Sequence, residues 1–316
     1  MPLTTSRTQP VDKWNADKRK QFWKEIAALQ VAEGKKANLS RRSTEYSHKT
    51  VSKNDATAVL DWGKARLAEM QDALYAENQR SLLIVLQAMD TAGKDGAIKH
   101  IMSGLNPQGV KVTPFKKPSA EELDHDFLWR HYKALPARGD IGIFNRSHYE
   151  NVLVSRVHPE LVLAENLPTV KKVKDVDEKF WDERYEVIRQ FEDVVVKNGT
   201  IILKFYLHLS HDEQKRRLIS RIDDKEKNWK FSISDMEERS YWNDYQVAYE
   251  KAITATSTQS APWFVVPADN KWYTRLAIAA IIYHHMDKLK LKYPSVSKEQ
   301  EERLKEARER LVQGQI

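Results

Sequence analysis

The stretch 81–96, SLLIVLQAMDTAGKDG, constrains this chain more than any other. Its run 82–86 is continuously apolar, the pattern of a strand covered on both faces. Ala92, Gly93 and Lys94 follow shortly after, and 97–102 suits a helix. Strand, Gly-Lys loop and helix is the layout of a phosphate cradle. Backbone N–H groups at the helix start bind anionic oxygens, and the lysine adds a mobile positive charge. The usual P-loop reads G-x-x-x-x-G-K-[ST]. Here Ala88 replaces the first glycine, Gly93 and Lys94 fit, and Asp95, followed by Gly96, stands where Ser or Thr would hold Mg²⁺. A carboxylate there is a stronger, charged ligand for a hard cation. Asp90 places a second carboxylate inside the loop. Gly-Lys alone also suits an ordinary strand–turn–helix with surface charges, so the phosphate reading leans on the flanking strand and helix.

The chain of 316 residues can bury a large core, as one α/β domain or two smaller ones. No run approaches the roughly 18 apolar residues of a membrane helix. The first twenty residues lack the apolar segment of a signal peptide, so the cytoplasm is the expected compartment. With no cysteine, disulfides, thiolate zinc sites and cysteine nucleophiles are excluded. The net charge of +7 suggests a polyanionic partner, whether nucleic acid, nucleotide or inorganic polyphosphate.

Five strand candidates, at 82–86, 110–115, 140–145, 200–209 and 263–266, are mostly separated by helical stretches. Long helices are expected at 17–30, 55–78, 120–133, 178–196, 211–221, 235–255 and 273–289, with a loose linker over 33–54. The alternation argues for a parallel sheet with helices on both faces, whose ligands bind at the carboxyl ends of the strands. The expected division is a helical arm and linker (1–54), a core (55–290) with a lid near 210–245, and a charged helical tail (291–316). In that tail Glu299 with Arg303, and Glu301 with Lys305, have i,i+4 spacing.

Two further constellations join the loop. In IGIFNRSHYE (141–150) an apolar strand ends at Asn145 and Arg146, where a P-loop protein carries its Walker B acid. Asn145 brings no charge to a metal, but Glu150, one turn later, does. Arg146 offers phosphate a bidentate guanidinium fork, or else pairs with Asp90 or Asp95. In SHDEQKRRLISRIDDKEKNWK (210–230), Ser210 and Glu213 form a capping box. Arg217 and Arg221 share one helix face, with Lys230 beyond. Such cations suit a lid that closes over phosphates. They also suit a solvated basic helix balanced by Asp223, Asp224 and Glu226. Lys116 and Lys117, just past the strand expected at 110–115, and Arg130, on the helix expected after it, are weaker candidates. His100, His131, His148 and His208 lack metal-ligand spacing and read as packed or surface residues.

At these constellations the chain resembles the family-2 polyphosphate kinases. The matching segments are LLIVLQAMDTAGKDGAIKHIMSGLNPQGV, FKKPSAEELDHDFLWRHY, IGIFNRSHYENVLVSRVHPEL, DDKEKNWKFS and TSTQSAPWFVVPADNKWYTRLAIA, spanning about 81–283. The resemblance implies a P-loop kinase-like α/β/α fold with a five-stranded parallel sheet and a helical lid. It implies phosphoryl transfer between inorganic polyphosphate and AMP or ADP, forming ADP or ATP, with Mg²⁺ or alternatively Mn²⁺. Asp90, Gly93, Lys94 and Asp95 then match the Walker A loop. Asn145 and Arg146 match Walker B, and Arg217, Arg221 and Lys230 match the lid. Glu150 matches an acidic position of members that accept AMP as well as ADP, where ADP-preferring relatives carry Asn. Asp90, Asp95 and Glu150 are the expected metal-holding acids, and Lys116, Lys117 and Arg130 the expected guides for the donor chain. A homodimer or homotetramer is implied. The competing readings are an ATP-dependent nucleoside monophosphate kinase and a non-catalytic nucleic-acid binder. No recognisable nucleic-acid motif supports the latter.

Overall fold

The computed structural model describes residues 14–314. Helix α1 (Ala16–Ala28) leads to a two-residue strand β1 (Gln30–Val31), and α2 (Lys53–Glu77) leads to β2 (Ser81–Ala88). Next come α3 (Lys94–Ile101), β3 (Val110–Pro114), the short α4 (Ala120–Leu123) and α5 (Trp129–Tyr132), β4 (Ile141–Asn145), α6 (Glu150–Val157) and α7 (Glu178–Lys197). The chain continues through β5 (Thr200–His208), α8 (His211–Asp223), α9 (Ile233–Ser240), α10 (Trp242–Thr256), β6 (Trp263–Pro267), α11 (Lys271–Lys288) and α12 (Lys298–Val312). No helix among the described residues is long and apolar enough to cross a membrane.

The strands form one six-stranded sheet in the order β1-β6-β5-β2-β4-β3. Neighbours from β6 to β3 pair in parallel, as expected for the five strands legible in the sequence. The sixth, β1, corrects that count. It pairs antiparallel with β6 at one edge, through Gln30 with Phe264 and Val31 with Trp263. Alternate residues of β2 face opposite layers. Leu82, Ile84 and Leu86 pack with residues of α1, α2, α3 and α11, whereas Leu83 and Val85 pack with those of α6, α7 and α10. Both faces are therefore dry, which is why these strands read as unbroken apolar runs.

Helix ends follow local chemistry. In α2, Ser52 Oγ accepts from Asp55 N at 3.1 Å, and Asp55 Oδ2 accepts from Ser52 N at 2.9 Å. Asn78 ends that helix with a left-handed φ of 50°. At Ser210 only half of the expected capping box forms. Ser210 Oγ accepts from Glu213 N at 3.1 Å, but the Glu213 carboxylate pairs with Arg216 and Arg217.

Three expectations need correction. The helix expected at 120–133 is two short ones, because Asp126 Oδ1 accepts from Leu128 N at 2.9 Å and makes a competing turn. The helix expected at 235–255 breaks at Tyr241, where Glu238 Oε2 accepts from Tyr245 Oη at 2.6 Å across the joint. The stretch 33–54 is no loose linker. Leu39 N donates to Glu250 Oε2 at 3.0 Å, Tyr46 N to Asn270 Oδ1 at 2.7 Å, and Thr44 Oγ1 to Asp269 Oδ2 at 2.9 Å. Tyr46 also stacks on Tyr273 at 4.2 Å between centroids.

The reciprocal cap of α2 predicts that S52A costs about 1 kcal/mol, whereas S52D, which keeps an acceptor, stays near wild type. Denaturant midpoints at unchanged slope check this, and an unmoved midpoint for S52A would show that packing alone holds the helix start.

Candidate active site

Register brings the carboxyl ends of the strands to one level. Leu86 of β2 pairs with Asn145 of β4, Pro114 of β3 also pairs with Asn145, and His208 of β5 pairs with Pro267 of β6. Above this edge lies a cleft of about 790 Å³. Its floor is the loop 90–97, and its walls come from the ends of β3 and β4 and from α8, α9 and α11. This is the position at which open α/β sheets bind ligands.

Gly93 caps α3 with φ 102°, a conformation that L side chains rarely adopt, so glycine is required there. Two non-glycine residues that line the cleft share the left-handed region, Thr91 at φ 64° and Arg146 at φ 65°. Each costs roughly 1–3 kcal/mol and persists only where surrounding structure holds it. Part of that hold on the loop comes from Arg217. Its side chain is 7% exposed. The guanidinium donates to Thr91 O at 3.2 Å and Ala92 O at 2.9 Å on the loop. It also donates to Ala268 O at 2.6 Å and Asp269 O at 3.1 Å after β6. Arg217 thus fastens the loop after β2 to the exit of β6, two strands away, with its Nε on Glu213 Oε1 at 2.6 Å.

Lys94, Arg146 and Arg221 also have partners. Lys94 curls back to donate to Ala88 O at 2.9 Å. Loss of hydration pushes its pKa below the usual lysine value, with Arg146 adding to the fall and Asp90, Glu150 and Asp95 opposing it. Arg146 bridges Asp90 Oδ1 at 3.0 Å and Glu150 Oε2 at 3.4 Å. Glu150 is the main reason its pKa is raised. Arg221 pairs with Asp235 Oδ2 at 3.1 Å, joining α8 to α9. Burial, then the charge of Asp90, push the Asp235 carboxyl up.

Among the expected residues, Asp90, Ala92, Gly93, Lys94, Asp95, Gly96, Lys116, Lys117, Asn145, Arg146, Arg217 and Arg221 all line this cleft. Glu150 reaches it through Arg146 rather than at its wall. Arg130 sits behind the wall, donating to Lys116 O at 2.9 Å, pairing with Glu122 at 3.2 Å and lying over the Phe115 ring. Lys230 ends a 3-10 turn at Asn228–Lys230, and its side chain lies outside the described residues. Of the histidines, His131, His148 and His208 are buried.

The acids Asp90, Asp95 and Glu150 do not gather into a cage. Arg146 stands between Asp90 and Glu150, and Asn145 Nδ2 donates to Asp95 Oδ1 at 2.8 Å. Among the described residues no three His, Cys, Asp or Glu side chains come together as a metal cluster.

Sequence reasoning missed one wall. Lys271, Thr274 and Arg275, on the first turns of α11, line the cleft, as do Lys227 and Asp235. Burial lowers the pKa of both Lys271 and Arg275. The signal was present: Lys271 and Arg275 are four apart, just past a predicted strand whose carboxyl end had to face the ligand.

The Polyphosphate kinase 2 (PPK2) family profile matches residues 50–294. An ADP-polyphosphate phosphotransferase of Rhodopseudomonas palustris is 46% identical over 284 residues, covering 90% of this chain and 97% of the relative. An AMP/ADP-polyphosphate phosphotransferase of Meiothermus ruber is 46% identical, covering 76% of this chain and 83% of the relative. The crystal structure of Polyphosphate Kinase 2 from Arthrobacter aurescens superposes with a TM-score of 0.79 at 42% identity, covering 88% of this chain and 95% of that one. With a parallel sheet that presents a Gly-Lys loop at its carboxyl edge, and with this agreement over most of its length, the chain belongs to the Polyphosphate kinase 2 family.

Proposed function

We propose that this chain transfers the terminal phosphoryl group of inorganic polyphosphate to AMP or ADP, forming ADP or ATP. One observation carries the reading: a Gly-Lys loop lies between two cationic walls, Lys116 and Lys117 on one side and Arg221, Lys271 and Arg275 on the other. Two polyanions must meet here, and phosphoryl transfer is catalysed mainly by positioning and charge stabilisation. The names of the relatives, which specify polyphosphate with ADP or with AMP and ADP, support the same substrates.

In the proposed reaction an oxygen of the acceptor's last phosphate attacks the terminal phosphorus of the donor. The bridging P–O bond breaks, and the shortened chain leaves with the electron pair. The acceptor phosphate, with a second pKa of roughly 6, is already ionised at neutral pH. No strong general base is needed. Lys94 and the loop N–H groups hold phosphate oxygens. Arg146 and Arg221 neutralise charge on the transferring group, while Arg217 keeps the loop in shape. Lys116 and Lys117 guide the donor chain, and Arg130 steadies them from behind through Lys116 O.

The acids fit a divalent ion that arrives with phosphate, since Mg²⁺ commonly takes one or two carboxylates plus substrate oxygens and water. Asp95 and Asp90, both of which line the cleft, would hold that ion, and Mn²⁺ suits the same oxygen donors. Bound there, the ion supplies charge neutralisation to the phosphates. Glu150 acts on Arg146 and so on the acceptor's place.

Purified protein with Mg²⁺, polyphosphate and either AMP or ADP should form ADP or ATP, read by nucleotide chromatography. Phosphorylation of AMP from ATP alone, with none from polyphosphate, would instead favour a nucleoside monophosphate kinase. K94A should lower kcat by about 10²–10³, the scale of losing one preorganised electrostatic donor. Near-normal turnover would remove Lys94 from the proposed chemistry. E150N frees one side of Arg146 and should lower turnover of AMP relative to ADP; an unchanged ratio would separate Glu150 from acceptor choice. Removing Lys116 and Lys117 together should raise KM for long polyphosphate. It should also flatten its log–log salt dependence by roughly 0.7–0.9 per cation, by analogy with counterion release at nucleic acids. An unaltered slope would place the donor chain elsewhere.

A further inference from the structure

Beneath the Asn145–Arg146 turn lies a fully buried ionic network that the proposed chemistry does not use. Lys204, in the middle of β5, is 0% exposed. Its Nζ donates to Glu192 Oε2 at 2.5 Å, to Thr256 O at 2.7 Å and to Tyr149 Oη at 3.0 Å. Glu192 Oε1 accepts from Tyr149 Oη at 2.8 Å and lies 3.2 Å from His148 Nε2. One residue earlier, Ser147 Oγ accepts from Gln87 Nε2 at 3.0 Å and from Tyr149 N at 3.2 Å. All of these side chains are buried.

A desolvated ion pair contributes little stability beyond what well-packed apolar side chains would. Its place in the chain is informative instead. Ser147, His148 and Tyr149 are the three residues between Arg146 and Glu150, and each is gripped from below. Arg146 itself holds a left-handed backbone and donates its N–H to Leu86 O at 3.1 Å, while its guanidinium, 43% exposed, spans Asp90 and Glu150 above. Three anchored residues fix the directions in which their two neighbours leave the backbone.

We propose that the Glu192–Lys204 pair, with His148 and Tyr149, is a positioning device that holds Arg146 and Glu150 in register with the Lys94 loop. Its members are positioning residues that touch no substrate. The inference rests on the phosphotransferase reading and adds to it the buried groups that set the geometry of the arginine.

Y149F tests it gently, since Glu192 keeps Lys204 and His148, and Lys204 keeps Glu192 and Thr256 O. The expected result is a kcat about tenfold lower, as for a small misplacement of a reacting group. Both KM values should stay within about twofold and melting should be near wild type. In a double-mutant cycle with R146K, the double variant should be no slower than R146K alone, because Tyr149 acts through Arg146. H148L gives an independent arm: it should lose activity as Y149F does, and H148Q, whose amide N–H can still reach Glu192, should recover most of it. Wild-type kcat in Y149F and H148L would overturn the proposal. So would losses that multiply with R146K, or losses that follow melting temperature. Absence of polyphosphate-driven transfer by the wild-type protein would count against the functional reading itself. An active wild type with indifferent network variants would count against the network alone.

Discussion

Self-repulsion among the cations of the cleft is the constraint around which the site is built. Like charges about 4 Å apart repel by roughly 4 kcal/mol at an effective dielectric near 20. A cleft that brings Lys94, Arg146, Arg217 and Arg221 together must satisfy those groups before substrate arrives. The structure does so with internal partners. Asp90 and Glu150 flank Arg146, Asp235 takes Arg221, and backbone carbonyls take Lys94 and Arg217. Carboxylate and carbonyl oxygens thus occupy directions in which phosphate oxygens would also bind. Exchange of one acceptor for another costs far less than exposing a bare charge.

These partners divide the cations into two kinds. Arg217 is buried against four backbone carbonyls, so moving it would strand acceptors on two chain segments at once. Its position suits a permanent tie. Arg146 and Arg221 are more exposed, and the carboxylates they pair with are only partly buried. Their partners are exchangeable. Identical residue types four apart on one helix therefore differ in their surroundings: the deeply buried Arg217 ties the loop to the exit of β6, and the more exposed Arg221 joins α8 to α9.

The same distinction explains what could be read from the sequence. β2 and β5 were legible because both faces are dry, leaving a run with few polar letters. The loop was legible because Gly93 needs a positive φ and Lys94 follows it. The edge strand β1 was not, since two residues carry no period. The strap over 33–54 escaped for a related reason. Its hydrogen bonds run to Glu250, Asp269 and Asn270, more than two hundred positions away, and leave no local pattern. The breaks at Asp126 and Tyr241 are side-chain choices that a helical period overrides on paper. Of the site, the loop and the Asn145–Arg146 turn were visible as motifs, but Lys271 and Arg275 become part of it only once β6 is placed beside β5.

Lys204 shows what a closer reading of physical chemistry adds. It interrupts the apolar run IILKFYLH, and a lysine at the centre of a strand dry on both faces must find a carboxylate or lose its proton. Sequence dictates that such a partner exists but not where it lies. The structure supplies Glu192 from α7, and with it the reason the partner is a charge rather than another leucine. A carboxylate can accept from Lys204, Tyr149 and His148 together, which no apolar side chain can. One buried acid thereby gathers a strand and a turn around a single point. The turn it gathers is the one that carries Arg146, so the charge cost is borne at the place where the cleft most needs a fixed backbone.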